Sequence, residues 1–400
     1  SLSVDIDLLG ASSTANTIGE VNLGTDGIIT DYSLTTGAIN QANTVAKITA
    51  LNVNAFTVKT GAGGNANHLT FADMRGVTGA IGDVTIDADD TVSFTNGAEQ
   101  ATSIGDIVIK GKDGSTGVNM GTWGAANSTV GNITFSGTFD TNPDITIGAA
   151  TSVGNVSTAG VLAGTVTVVL NDSTTIGISM AGGAGVDKFT GTGAADTITG
   201  LGGADTLIGN GGADTITGGE GADTITGSAG ADSIILTETA AANDRVVLDG
   251  AASKVLSTDV NNVITGFAGG DVIKLTANPA YAGTSAAALV KYKEGAKADA
   301  DATIGLHVFS DKMTVAGAMP TTDEMATYLG STKIFKEGHA DSAILILVDN
   351  EADAWLIELT SGAANQTYAK AEDGMAVLAK IVGLTDVTSL SDANFADFSA

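Results

Sequence analysis

The chain has 400 residues, no cysteine and a formal net charge of −28. Its length allows two or three domains. The missing thiols exclude a disulfide framework, a thiolate zinc site and a cysteine nucleophile, and the acidity argues against nucleic acid and anionic membranes as partners, because both need basic patches. Mean hydropathy is +0.24 with 43% hydrophobic but only 4% aromatic residues, so alanine, threonine, valine and isoleucine carry the apolar load. That balance opposes disorder and suits a thin β-solenoid better than a bulky core. No apolar run reaches the roughly 18 residues a spanning helix needs, so membrane insertion is not expected.

Residues 1–181 hold a loose repeat. Thr17-Ile-Gly-Glu-Val, Ala80-Ile-Gly-Asp-Val, Ser103-Ile-Gly-Asp-Ile, Thr129-Val-Gly-Asn-Ile and Ser152-Val-Gly-Asn-Val share a small residue, an aliphatic, glycine, an acid or amide, and an aliphatic branched residue. The last four recur after 23, 26 and 23 residues, a spacing found in solenoid coils. Alternation of the strand type follows each, as in Ile107-Val-Ile-Lys-Gly. An antiparallel sandwich would share the short strands and frequent turns, but the even spacing favours a β-rich solenoid over it. Asp87, Asp89 and Asp90 read as a solvated turn rather than an ion site. Asp140-Thr-Asn-Pro-Asp144 alternates oxygen ligands but has Ile145 and Thr151 where an EF-hand needs glycine and glutamate. His68 has no motif partner and reads as a turn residue.

From Gly182 to Ile235 a nine-residue unit repeats six times without insertion: GGAGVDKFT, GTGAADTIT, GLGGADTLI, GNGGADTIT, GGEGADTIT and GSAGADSII. Glycine opens each copy (Gly182, Gly191, Gly200, Gly209, Gly218, Gly227), and glycine also stands fourth in five of them (Gly185, Gly203, Gly212, Gly221, Gly230). Aspartate is sixth (Asp187, Asp196, Asp205, Asp214, Asp223, Asp232) and a large apolar residue eighth (Phe189, Ile198, Leu207, Ile216, Ile225, Ile234). Glycine-rich turns reach positive-φ conformations in which carbonyls converge, and calcium takes its hard oxygens from such carbonyls and from carboxylates. The triplet after each aspartate predicts a short strand whose middle side chain points inward. With two copies per coil, Asp187, Asp205 and Asp223 line one edge and Asp196, Asp214 and Asp232 the other. No lysine or arginine lies between Phe189 and Asp244, so salt bridges within this stretch cannot neutralise the two columns, and metal binding and folding are expected to be one event. A disordered linker would have no reason to keep an apolar residue in phase with an aspartate. A dinucleotide-binding reading of the glycines lacks its strand-to-helix context.

Arg245-Val-Val-Leu and Gly266 to Leu275 read as closing strands of a roll spanning 182–276, with Asp244 and Asp271 continuing the acidic columns and Phe267 as plug. Residues 277–400 predict a smaller α+β region. Thr321-Thr-Asp-Glu324 is a capping box for a short helix ending at Gly330, Ser285 to Tyr292 and Ala371 to Ile381 are further helix candidates, and Ala343 to Asp349 with Ala354 to Leu359 form a hairpin. The chain ends in a small, acidic stretch with spaced aromatics.

The nonapeptides resemble the RTX family of calcium-dependent secreted bacterial proteins. The resemblance covers about 55 residues closely, and implies a parallel β-roll with several Ca2+ ions between its turns. It implies little about activity, since such segments accompany toxins, proteases, lipases, adhesins and surface-layer proteins. The three histidines, His68, His307 and His339, form no H-E-x-x-H, and Gly177-Ile-Ser-Met-Ala departs from G-x-S-x-G at its last position. No enzyme is therefore expected, and no catalytic or organic-cofactor residues are assigned. The pattern looks most like an RTX surface-layer protein at the bacterial cell surface, exported by type I secretion and assembling with copies of itself, with cell-surface polysaccharide as a further partner. An adhesin or matrix filament subunit is the alternative, and the C-terminal part of a type I secreted enzyme a third.

Overall fold

In the computed structural model, the described residues are 2–8, 16–24, 26–36, 43–61, 68–89, 91–112, 117–139, 142–170, 176–248, 262–275, 289–291, 306–308, 319–329, 343–350, 352–360, 374–390 and 394–396. Strands dominate them, as the branched, small-residue composition requires, and the architecture is a parallel β-solenoid. The chain divides into two compact units, Ser1–Leu207 and Ile208–Ala400.

In the first unit each coil gives one strand to each of two parallel stacks. One stack runs through Leu2–Leu8, Ile28–Thr36, Asn52–Lys59 and Ala80–Ala88, then through the strand pairs that begin at Ser103, Thr129 and Ser152, to Ser179–Ala181 and Thr197–Gly202. The opposite stack holds Asn16–Asn22, Asn43–Ala50, His68–Phe71, Thr91–Phe94, Val118–Trp123, Asp144–Ile147, Val166–Leu170 and Asp187–Thr190. The loose sequence repeat is this stacking: Ala80, Ser103, Thr129 and Ser152 are direct partners on successive coils. Thr17-Ile-Gly-Glu-Val departs from the expectation, for it pairs through Thr17 with Thr44 on the opposite stack. His68 likewise opens a strand rather than occupying a turn.

Inward positions alternate with outward ones, giving a core of Ile81, Val84, Ile86, Ile107, Ile109, Ile133 and Phe135, all buried. Five aromatics form one ladder: Tyr32 stacks on Phe56 at 5.0 Å and Phe71 on Phe94 at 4.7 Å, with Trp123 edge-on to Phe94 at 5.3 Å. Such pairs add about 0.5–1.5 kcal/mol each beyond their buried area. The coils meet most closely at the repeat glycines. A Cβ on Gly105 would lie 2.5 Å from Asp83 Oδ1, and one on Gly131 2.5 Å from Asp106 Oδ1.

In the second unit the same parallel stacking joins Thr215–Glu220, Ser233–Ile235 and Asn262–Thr265 on one side, and Thr224–Ala229, Arg245–Leu248 and Val272–Leu275 on the other. Both expected closing strands are present. Phe267 is not the plug, because it remains partly exposed while Leu236, Ile264 and Ile273 are buried. Closure comes from further along the chain: Gly374–Val382 pairs parallel with Asn262–Thr265, and Phe395–Ala396 pairs parallel with Val272–Leu275.

The hairpin of Ala343–Asp349 and Asp353–Thr360 is antiparallel as expected. Asn350 Oδ1 accepts the N–H groups of Ala352 and Asp353 in its turn. Helix Thr322–Leu329 carries its capping box, with Glu324 N–H donating to Thr321 Oγ1 at 3.2 Å and Thr321 N–H to Glu324 Oε2 at 2.8 Å. Two helix expectations are corrected. Residues 374–382 are a strand, because Ala379 and Ile381 complete sheet pairs on both sides and tertiary pairing overrides an alanine-rich local propensity. Within Ser285 to Tyr292, Leu289–Lys291 is a strand paired with Leu306–Val308. Gly330, Asp90 and Asp140 lie outside the described residues. No helix among the described residues is long and apolar enough to cross a membrane.

Candidate calcium site

The eighth-position side chains Ile198, Leu207, Ile216, Ile225 and Ile234 are 0% exposed and Phe189 is 1% exposed. Fully burying an aliphatic side chain of this size contributes about 1.5–3 kcal/mol, so these residues hold the strands while the turns are left to the glycines. Turn conformation then follows the repeat. Gly203, Gly212, Gly221 and Gly230, all fourth in their copies, have φ between 108° and 151°. In the last four copies the second position is also left-handed: Gly219 has φ 113°, and Leu201, Asn210 and Ser228 adopt φ 74°, 75° and 72° despite their side chains. These substitutions do not alter the turn. For Leu201 the left-handed conformation costs about 1–2 kcal/mol.

The sixth-position aspartates, expected at the edges, are almost completely buried. Asp187 and Asp196 are 2% exposed, and Asp205, Asp214, Asp223 and Asp232 are 1% exposed. One oxygen of Asp196, Asp205 and Asp232 accepts a backbone N–H from an adjoining coil: Ile178 N–H donates to Asp196 Oδ1 at 2.9 Å, Asp187 N–H to Asp205 Oδ1 at 2.8 Å and Asp214 N–H to Asp232 Oδ1 at 2.9 Å, whereas Asp187 Oδ1 accepts the Thr158 hydroxyl at 2.9 Å. The ladder outlasts the nonapeptides. Asp223 N–H donates to Asp244 Oδ1 at 2.9 Å and Asp244 N–H to Asp271 Oδ1 at 3.0 Å, while Asp232 N–H donates to Asn262 Oδ1 at 2.9 Å. Asn262 was not foreseen from the sequence, since no glycine turn precedes it; its uncharged side chain also donates to the Leu378 carbonyl at 3.2 Å.

The second carboxylate oxygen points over the turn. In Asp187 it accepts Gly183 N–H at 2.9 Å, in Asp196 Thr192 N–H at 2.7 Å, and in Asp271 Ala268 N–H at 2.7 Å. Thr192, which replaces the usual second residue, also donates its hydroxyl to Asp196 Oδ1 at 2.9 Å. In Asp232 and Asp244 this oxygen is buried with no hydrogen-bond partner. Burial raises the pKa of Asp187, Asp196 and Asp271, pushes Asp232 up to about 6, and pushes Asp244 up to about 7 with Glu238 and Asp223 adding to the effect. A bare buried carboxylate oxygen calls for a proton or a cation.

The turn fits a calcium ion. At Gly209, Gly218 and Gly227 a Cβ would collide with Oδ2 of Asp214, Asp223 and Asp232, so the opening glycine keeps clear the space into which each carboxylate oxygen leans. A Cβ on Gly182 would meet Asp187 Oδ2 at 2.7 Å, and one on Gly185 would meet the Gly164 carbonyl at 2.9 Å. Gly191 and Gly200 are buried at the same first position. Among the described residues no three aspartate, glutamate, histidine or cysteine side chains converge as a metal centre. One carboxylate per turn, completed by backbone carbonyls, suits a hard cation that accepts six to eight oxygens and would not suit zinc. Calcium bound there would supply the positive charge that these buried carboxylates lack.

Residues 181–216 and 208–236 match the family model for the RTX calcium-binding nonapeptide repeat. The chain carries RTX calcium-binding repeats. No curated protein and no solved structure matches it. Outside the RTX segment, Asp87 and Asp89 are held by Lys112, whose Nζ lies 3.1 Å from Asp87 Oδ1 and 3.5 Å from Asp89 Oδ2, so this pair is a local salt bridge. Asp144 opens a strand, and burial raises its pKa.

Proposed function

We propose that this RTX-repeat protein is a calcium-dependent structural protein of a bacterial surface layer, in which calcium folds the roll and bridges copies of the chain into a lattice. The observation that carries the calcium dependence is the column of buried carboxylates in a stretch without lysine or arginine. Proteins with RTX repeats are typically secreted, which supports an extracellular location. Self-assembly draws its support from the acidic, cysteine-free composition and from long parallel stacks whose outward positions are rich in threonine and serine. On this reading the chain is not an enzyme, and its partners are other copies of itself and cell-surface polysaccharide.

A calcium titration of the purified chain, followed by circular dichroism and negative-stain electron microscopy, tests the proposal. Added β signal and ordered two-dimensional sheets should appear together with calcium and vanish with chelator. Fibres in place of sheets would favour the filament alternative, and a folded monomer would remove the assembly role. Asp205→Ala with Asp214→Ala should raise the calcium needed for assembly; an unchanged requirement would sink the ligand assignment.

A further inference from the structure

The six nonapeptides are alike in sequence but not in backbone. In the third to sixth copies the second and fourth residues are both left-handed: Leu201 with Gly203, Asn210 with Gly212, Gly219 with Gly221 and Ser228 with Gly230. The same positions of the first two copies, Gly183 with Gly185 and Thr192 with Ala194, have no positive φ. The causes are local. The first copy stacks on a coil that is not a nonapeptide: a Cβ on Gly183 would lie 2.7 Å from the Thr158 carbonyl oxygen, and one on Gly185 2.9 Å from that of Gly164. In the second copy Thr192 is β-branched and Ala194 carries a Cβ, so both resist positive φ. The reversal that gathers carbonyl oxygens in the later turns is therefore missing from these two.

The carboxylates divide at the same place. Asp187 Oδ1 accepts the Thr158 hydroxyl at 2.9 Å, and its Oδ2 accepts Gly183 N–H at 2.9 Å. Asp196 Oδ1 accepts Ile178 N–H and the Thr192 hydroxyl, both at 2.9 Å, and its Oδ2 accepts Thr192 N–H at 2.7 Å. Thr158 and Thr192 are 0% exposed, so water does not compete for their hydroxyls. In the sixth copy, by contrast, Asp232 Oδ2 is buried with no hydrogen-bond partner. A buried carboxylate with donors on both oxygens has its charge met within the chain, whereas a bare oxygen still calls for a cation or a proton.

We infer that calcium binding begins at the third nonapeptide, and that Thr158 and Thr192 are the specificity-determining residues that take the ion's place at Asp187 and Asp196. The inference rests on the calcium reading of the roll and divides it. Residues 182–199 are an ion-free entrance held by hydroxyl and amide donors, and calcium serves the copies from Gly200 onward. Both ion-free copies belong to the first compact unit, Ser1–Leu207, whose earlier coils contain no nonapeptide.

Installing the missing glycines tests this. In the full chain, Thr192→Gly with Ala194→Gly restores the glycines of the later turns, and the calcium retained after equilibrium dialysis, measured by atomic emission, should rise by one ion. Adding Asp196→Asn to that pair should remove the gained ion. Thr192→Ser, which keeps both the hydroxyl and the N–H, should gain none. An unchanged count in the double-glycine variant, a gain in Thr192→Ser, or a gained ion that survives Asp196→Asn overturns the inference. Should the double-glycine variant fold poorly, Thr192→Gly alone carries the same test. Thr158→Val reads the first copy: it strips Asp187 Oδ1 of its donor, so the melting midpoint should fall below that of wild type by a margin that further calcium does not close. A margin closed by calcium would mean that an ion enters at Asp187, and would overturn the assignment there. A wild-type chain that binds no calcium overturns the calcium reading itself, whereas a calcium-binding wild type with an unchanged count in the double-glycine variant overturns this division alone.

Discussion

Two ladders in this molecule use the same hydrogen bond and face opposite electrostatic problems. Between Asp83 and Asn155, each side-chain oxygen accepts the backbone N–H of the next coil: Asp106 N–H to Asp83 Oδ1 at 3.1 Å, Asn132 N–H to Asp106 Oδ1 at 2.8 Å and Asn155 N–H to Asn132 Oδ1 at 3.0 Å. Between Asp214 and Asp271 the bonds are equally short but run the other way along the chain, with the later residue accepting from the earlier. The first ladder is exposed, so water solvates its second oxygens, and aspartate and asparagine interchange in it. The second is buried to within 2%, and there the charge that water would stabilise must be met by a proton or a cation. Geometry makes both ladders, and burial alone leaves the carboxylates of one of them in need of a proton or a cation.

The largest expected effect follows from chelation. In EDTA, hydrogen exchange of the nonapeptide strands should rise by orders of magnitude, while strands Ala80–Ala88 through Val156–Ala163 stay protected. Equal loss in both regions would break the distinction. Next comes core truncation: Ile216→Ala should cost about 2–5 kcal/mol of roll stability in saturating calcium, measured by denaturant melts, because Ile216 is fully buried.

The pH dependence of the chelated chain has a definite sign. Asp232 and Asp244 carry folded pKa values of about 6 and about 7, above the roughly 3.9 of an unfolded aspartate. The folded state therefore binds more protons, and the stability this gives is fully present below about pH 4 and is lost as pH rises through 6 to 7. The metal-free roll should melt at higher temperature at pH 5 than at pH 8, and a flat profile would show that these carboxylates are not buried in solution. Two smaller effects sharpen the contrast. Leu201→Gly should stabilise the roll by up to about 1 kcal/mol through relief of its left-handed backbone, seen as a lower calcium midpoint. Asp106→Asn, in the exposed ladder, should change stability by less than about 0.5 kcal/mol.

Much of this was legible in the chain itself. Period and phase fix the nonapeptide roll: a glycine that alone leaves room for the carboxylate, an aspartate at the edge and an aliphatic inside are each dictated by residue type, and the 23, 26 and 23 spacing already marks one stack of the first unit. Tertiary structure decided what depends on partners distant in sequence. Thr17 joined the opposite stack because pairing register, not motif likeness, places a strand. Residues 374–382 became a strand because two sheet edges awaited them. Asn262 joined the ladder at a position that no nine-residue period marks. Burial, which separates a solvated ladder from a calcium-demanding one, belongs to no residue singly and arises only when the coils stack.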